Sequence, residues 1–379
     1  MKITKFFMVI VSLMFSFVLI GSIYAANEIV VGCIADLTGP YAALSKQQVD
    51  AVKMAVDDLN KAGGALGRKF RVVVEDTGTT VAGATQKLER MILQEKADFI
   101  IPPTTSSEVL AMMPMVNKYN KLMMVTLAQS DKITGSEKNK QTFRNFGQPL
   151  ITAPPMVRWM MKNYGKKYYI LANDYAWGRS AAAVYTKFLK EANANIVGET
   201  FFPLGTKDFA PYFGKVKAAN PDVLLLLCAG TDALGIVAQV NQYGLKKQYK
   251  VAGDGSLVSG VIIKAHGCNA DGIVFADFYV DTLDTPENKA WVERYVKLYK
   301  EKPSKMAVAS YEGVLWVAQA IKQAGSLDTD KLIAALEGST FKGPSGVKKM
   351  DPESHQASMD VYMITIHDCG KYKIIGKAE

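Results

Sequence analysis

Four cysteines and three histidines among 379 residues leave little scope for metal or redox chemistry. Cys33, Cys228, Cys268 and Cys369 show no C-x-x-C spacing, and His266, His355 and His367 are too dispersed to read as metal ligands. Cys33 and Cys228 fall in apolar runs and are expected to be buried thiols. Cys268 and Cys369 fall near element ends and could pair in an oxidising compartment. Blocks of like charge are also missing. Lysines and acids are interspersed, so the formal net charge of +9 suggests a solvated surface suited to anionic ligands or an anionic membrane face, not nucleic acid.

Nucleotide and hydrolase signatures are lacking as well. The glycine-rich "KAGGALGRK" has no G-K-[ST] ending and reads as a helix-to-strand turn; there is no G-x-G-x-x-G after a strand and no G-x-S-x-G. These absences argue against an enzyme, and no cofactor is expected. After the first 25 residues no run is long and apolar enough to span a bilayer.

What is present begins with a leader. Lys2 and Lys5 open the chain, an apolar run follows to Tyr24, and Ala25 and Ala26 come next. This is the layout of a signal peptide over residues 1–25, cleaved after Ala25 or Ala26, with a membrane anchor as the rival reading. Export to the periplasm as a monomer is the expectation.

The remaining chain exceeds the roughly 250–300 residues at which single cores stop growing, which predicts two lobes. Runs such as "IVVGCIA", "FRVVVED", "ADFII" and "LMMVT" alternate with segments of helical period, and the alternation restarts at "YYILAN" and continues through "DVLLLLCA" and "YKVAGD". Two successive βα arrays imply an α/β protein of two doubly wound, Rossmann-like lobes. Helices are expected near 286–300, 306–324 and 329–337, then a hairpin turning at Asp368, Cys369 and Gly370.

In such sheets ligands sit beyond the carboxyl ends of the strands. There "IIPPTTSSEVL" places four hydroxyls, Thr104 to Ser107, at a helix start, where free N–H groups and the helix dipole favour an anion. The plainer reading is that Thr105 or Ser106 only caps the helix. The next strand end, "LAQS", adds Ser130, and together they describe a small anion pocket. In the second array Asp254 ends a strand between two glycines; it is either part of a turn or a carboxylate awaiting an ammonium. Tyr175 and Trp177 could pack at a helix start or touch ligand, and Tyr311 lies at a pocket rim or in the core.

These residues carry a resemblance. Through "IVVGCIADLTGPYAALS", "TTSSEVLAMMPMVNKYNKLMMVTLAQS" and "NDYAWGRS", the chain resembles periplasmic solute-binding proteins of branched-chain amino-acid ABC transporters, which have the type I periplasmic-binding fold. The resemblance implies lobes over 27–147 with 278–350 and over 148–277 with 351–379, joined by a multi-crossover hinge. It implies that Ser106 or Ser107, with Ala128 and Ser130, holds a ligand carboxylate. Asp254 would meet the ammonium, and Trp177, with Tyr175 beside it, would close over the ligand. Leu44 stands where an aromatic is common, and Ala229 and Gly230 follow a strand without the aromatic expected there. The tail "MDPESHQASMDVYMI" also resembles relatives that bind aromatic acids, short amides or urea. The implied partners are a small-molecule ligand, most simply a hydrophobic amino acid, and a membrane permease. A ligand sensor is the other role open to this fold.

Overall fold

The computed structural model describes residues 28–258 and 262–378, so the expected leader lies outside the described residues. Strands β1 (Ile29–Ala35), β2 (Phe70–Asp76), β3 (Phe99–Ile101), β4 (Leu122–Val125) and β5 (Thr142–Arg144) form a parallel sheet in the order β2-β1-β3-β4-β5. Helices α1 (Ala42–Lys61), α2 (Val81–Leu93) and α3 (Ser106–Lys118) cover it. Every residue of β1 is buried, as both faces of a doubly wound sheet require.

The second sheet contains β6 (Lys167–Asn173), β7 (Asn195–Phe202), β8 (Val223–Leu227), β9 (Lys250–Asp254) and β10 (Val274–Asp277). These strands are parallel. Among them run α4 (Pro149–Asn163), α5 (Ala176–Glu191), α6 (Ala210–Ala219), α7 (Gly230–Gln242) and two short helices, α8 (Leu245–Gln248) and α9 (Ile262–His266).

After β10 the chain returns to the first lobe as α10 (Pro286–Tyr299), α11 (Lys305–Ala324), α12 (Thr329–Leu336) and a small hairpin, β11 (Thr340–Gly343) with β12 (Gly346–Lys349). Helix α11 packs along α1. The chain then rejoins the second sheet as β13 (Tyr362–His367) and β14 (Lys371–Lys377), both antiparallel additions beyond β10. Their turn falls at Asp368 to Gly370, as the sequence predicts, and Cys369 there is disulfide-bonded to Cys268. Cys33 and Cys228 are buried free thiols.

Three differences from the sequence reading are informative. Strand β5 and the β11–β12 hairpin went unread; β5 is only three residues long and carries Arg144, and the hairpin strands are largely exposed, so neither shows an apolar run. Residues 351–357, expected with the second lobe, pair with the first: Arg144 N–H donates to His355 O at 2.8 Å and Ala357 N–H to Arg144 O at 2.9 Å. The parallel edge of β5 has free backbone groups, and this segment satisfies them before the chain crosses over.

Candidate ligand-binding cleft

The carboxyl ends of both parallel sheets converge on one cavity. The first lobe contributes Tyr41 and Leu44 around the start of α1, Thr104 and Ser106 after β3, Leu127 and Gln129 after β4, and Met306 from α11. The second lobe contributes Tyr175 and Trp177 after β6, Ala229 after β8 and Ser256 after β9. None of these lining side chains is charged.

The four consecutive hydroxyls have four different tasks. Thr104 Oγ1 shares a hydrogen bond with Ser45 Oγ at 2.7 Å, and Thr105 donates to Glu108. Ser106 Oγ accepts from the N–H groups of Gln129 and Ser130, at 3.2 and 3.0 Å, tying the β3 and β4 ends together. Ser107 Oγ accepts from Ala176 N–H of the other lobe at 3.3 Å. No side chain caps α3: its N-cap residue, Thr105, has no capping bond, contrary to the simple cap reading. This 13-residue helix therefore begins at the lining residue Ser106 without a capping side chain, with the positive end of its dipole on that side.

Aromatic rings cross the cleft. The Tyr41 hydroxyl donates to the Tyr175 hydroxyl at 2.8 Å, and the Tyr175 and Trp177 ring centroids are 6.0 Å apart. Burial pushes both tyrosine hydroxyls well above their ordinary range, so they remain neutral donors. Trp177 is 2% exposed and its Nε1–H has no hydrogen-bond partner among the described residues. An unpaired buried N–H costs about 1–3 kcal/mol, which a ligand acceptor would recover.

Of the residues expected at the site, Leu44, Ser106, Tyr175, Trp177 and Ala229 line the cavity. Ser107 is instead a bond between lobes. Ala128 and Ser130 lie behind the wall, where the buried Arg144 guanidinium donates to Ser130 O at 2.8 Å and Ala128 O at 3.3 Å. Gly230 has φ of +62°, and a Cβ there would come within 2.6 Å of Pro40 O, so it marks a place where the two lobes' backbones touch. Asp254 is 1% exposed and turned away from the cavity: its Oδ1 accepts from Ser256 N–H at 2.9 Å, and Thr152 Oγ1 lies 3.5 Å from Oδ2. It caps the short turn that delivers Ser256.

The sequence reading missed Tyr41, Leu127, Gln129, Ser256 and Met306. Leu127 and Gln129 lie inside "LAQS", each one position from Ala128. Met306 had no signal, because α11 reaches the cleft from far along the chain.

The lobes are shut on each other. Gln129 Nε2 donates to Ser256 Oγ at 2.6 Å, Asp131 N–H donates to Ser180 Oγ at 3.0 Å, and Ser180 donates back to the Asp131 carboxylate at 2.9 Å. A buried ion pair, Lys305 to Asp277 at 3.0 Å, joins α11 to the end of β10. The cavity retains about 20 Å³, against roughly 300–1,000 Å³ for a usual small-molecule site, so a ligand must enter by separation of the lobes.

Two doubly wound lobes, three segments that cross between them and a cavity at the facing strand ends define a cleft-closing binding protein. The chain belongs to the Periplasmic binding protein family, whose model matches residues 28–371. It is 24% identical over 356 residues to Leu/Ile/Val-binding protein homolog 6 of Brucella melitensis, covering 92% of this chain and 90% of that one. A solute-binding protein of an ABC transporter from Rhodopseudomonas palustris BisB5, solved with 3,4-dihydroxybenzoic acid, is 27% identical with a TM-score of 0.84, covering 93% of this chain and 95% of that one. A leucine-binding protein from Thermotoga maritima MSB8 shares the fold at 20% identity and a TM-score of 0.84, covering 93% and 99%. Among the described residues no helix is long and apolar enough to cross a membrane.

Proposed function

We propose that this protein is the periplasmic solute-binding component of an ABC importer, and that it captures a small aromatic carboxylate between its lobes and presents it, closed, to a membrane permease. The observation that carries the ligand class is the cavity wall: Tyr41, Tyr175 and Trp177 with a free indole N–H, and no charged lining side chain. A ring packs well against such a wall. The amides of α3 and the Ser106 and Thr104 hydroxyls suit a carboxylate. An α-ammonium group would be buried there without a carboxylate in contact, at considerable cost. The 3,4-dihydroxybenzoate bound by the R. palustris relative agrees with this reading.

The second reading is a branched-chain or other hydrophobic amino acid, favoured by the Leu/Ile/Val-binding homologues and by Asp254, two residues from Ser256. Isothermal titration of refolded protein decides between them, with benzoate, 4-hydroxybenzoate and 3,4-dihydroxybenzoate set against leucine, isoleucine, valine and phenylalanine. Benzoates binding at least tenfold tighter, about 1.4 kcal/mol, support the proposal. The reverse order restores the amino-acid reading.

A further inference from the structure

Two acids are buried together behind the hydroxyl turn. Asp36 follows β1 and Glu108 stands in the first turn of α3, and both are almost wholly inaccessible. Asp36 Oδ2 accepts from Thr104 N–H at 2.9 Å, and its Oδ1 accepts from the Thr77 hydroxyl at 2.6 Å. Glu108 Oε2 accepts from the Thr105 hydroxyl, whereas its Oε1 has no partner among the described residues. The two carboxyl groups thus bond adjacent residues of one turn, Asp36 to Thr104 and Glu108 to Thr105. Among the groups that bear most on Glu108, Asp36 is charged, while Thr77 from the loop after β2 and Thr105 from its own turn are hydroxyls.

Two neighbouring, buried carboxylates repel strongly when no cation is interposed, and a single proton between them removes the repulsion. We propose that Glu108 is a positioning residue kept as a neutral carboxylic acid, sharing its proton with Asp36, and that this proton holds the Thr104–Ser106 turn in its ligand-gripping form. The route is short, since Asp36 carries the Thr104 N–H and both Thr104 and Ser106 line the cavity. Burial, reinforced by the Asp36 charge, pushes the Glu108 carboxyl up to about 8. Losing the proton places a second negative charge beneath the turn that receives an anion, so ionisation opposes ligand binding. That consequence rests on the carboxylate reading of the ligand; the shared proton does not.

Three measurements on the mature protein test this. Infrared spectra without ligand should show a protonated carboxyl band at neutral pH that fades as pH rises through about 8 and is missing from Glu108→Gln. The Thr104 amide resonance should shift with the same midpoint in the wild type and stay fixed in Glu108→Gln, which keeps a donor toward Asp36 but has no proton to lose. Benzoate affinity should fall above that midpoint by at most about tenfold per pH unit in the wild type and stay flat in the variant. Tyr41 and Tyr175, held above their ordinary range, do not titrate in this window. No protonated carboxyl band at neutral pH, or the same alkaline loss in Glu108→Gln as in the wild type, overturns the proposal. If benzoate binds neither protein, the ligand reading fails, and the infrared and amide measurements still decide the shared proton.

Discussion

Gln129 reaches across the cleft to Ser256, its Nε2 donating to the Ser256 Oγ at 2.6 Å. Each residue stands at the carboxyl end of a strand in a different sheet, so this bond exists only when the lobes are together.

Replacing Gln129 with Ala removes that donor and should shift the ligand-free protein toward the open form. The expected cost to closure is about 1 kcal/mol, the net worth of an ordinary hydrogen bond. Small-angle scattering checks it: the variant should show a larger radius of gyration without ligand and the wild-type value with saturating ligand. Equal radii in the ligand-free state would remove the bond from the closing balance.

Trp177→Phe keeps a ring in the wall and deletes the unpartnered indole donor. Binding of a hydroxybenzoate should weaken by about 1–2 kcal/mol if the N–H meets a ligand acceptor, while the melting temperature changes little. Calorimetry on both proteins separates the two effects, and unchanged affinity would assign Trp177 a packing role alone.

Asp254→Asn preserves a competent cap for the turn before Ser256, because Asn caps about as well as Asp. Affinity for benzoate should stay within about twofold, roughly 0.4 kcal/mol. A loss beyond tenfold for leucine, paired with no change for benzoate, would identify an ammonium-binding role for this acid.

His266 is buried, its Nε2 lying 2.9 Å from Leu257 O, and burial lowers its pKa from 6.5 to about 4. Between these values the unfolded chain binds the proton that the folded one refuses, so the contribution of His266 to stability is full above about 6.5 and is lost as pH falls toward 4, while Glu108 and Asp277, raised by burial, slope the other way. Urea titrations at stepped pH check it by difference: the stability of the wild type relative to His266→Gln should decline as pH falls from about 6.5 to 4 and be constant above.

The fold was largely legible because most of the parallel strands, β5 excepted, carry apolar runs and the longer helices repeat at three and four. The site was legible in place but not in parity. Residues around a strand end alternate in direction, so "LAQS" points Leu127 and Gln129 into the cavity while Ala128 packs into the apolar cluster on the other side. Nothing in that stretch alone tells which alternate set faces the cleft. Asp254 misled for a related reason: a turn of 3-10 helix intervenes, and the carboxylate is spent on capping it. Ser107 carries the same hydroxyl as Ser106 one position on, which in a helix rotates it toward the opposite lobe.

The return of α11 to α1 sets an order of assembly. The face of α1 that α11 covers belongs to the first segment synthesised, yet its cover arrives only after the whole parallel part of the second sheet. The first lobe therefore carries an unsealed apolar face through most of synthesis, and a chain cut before Lys305 cannot finish either lobe, since β13 also follows. Neither half can be expressed as a contiguous fragment and be expected to fold; separating the lobes needs a rearranged gene in which residues 278–357 are joined to the first segment.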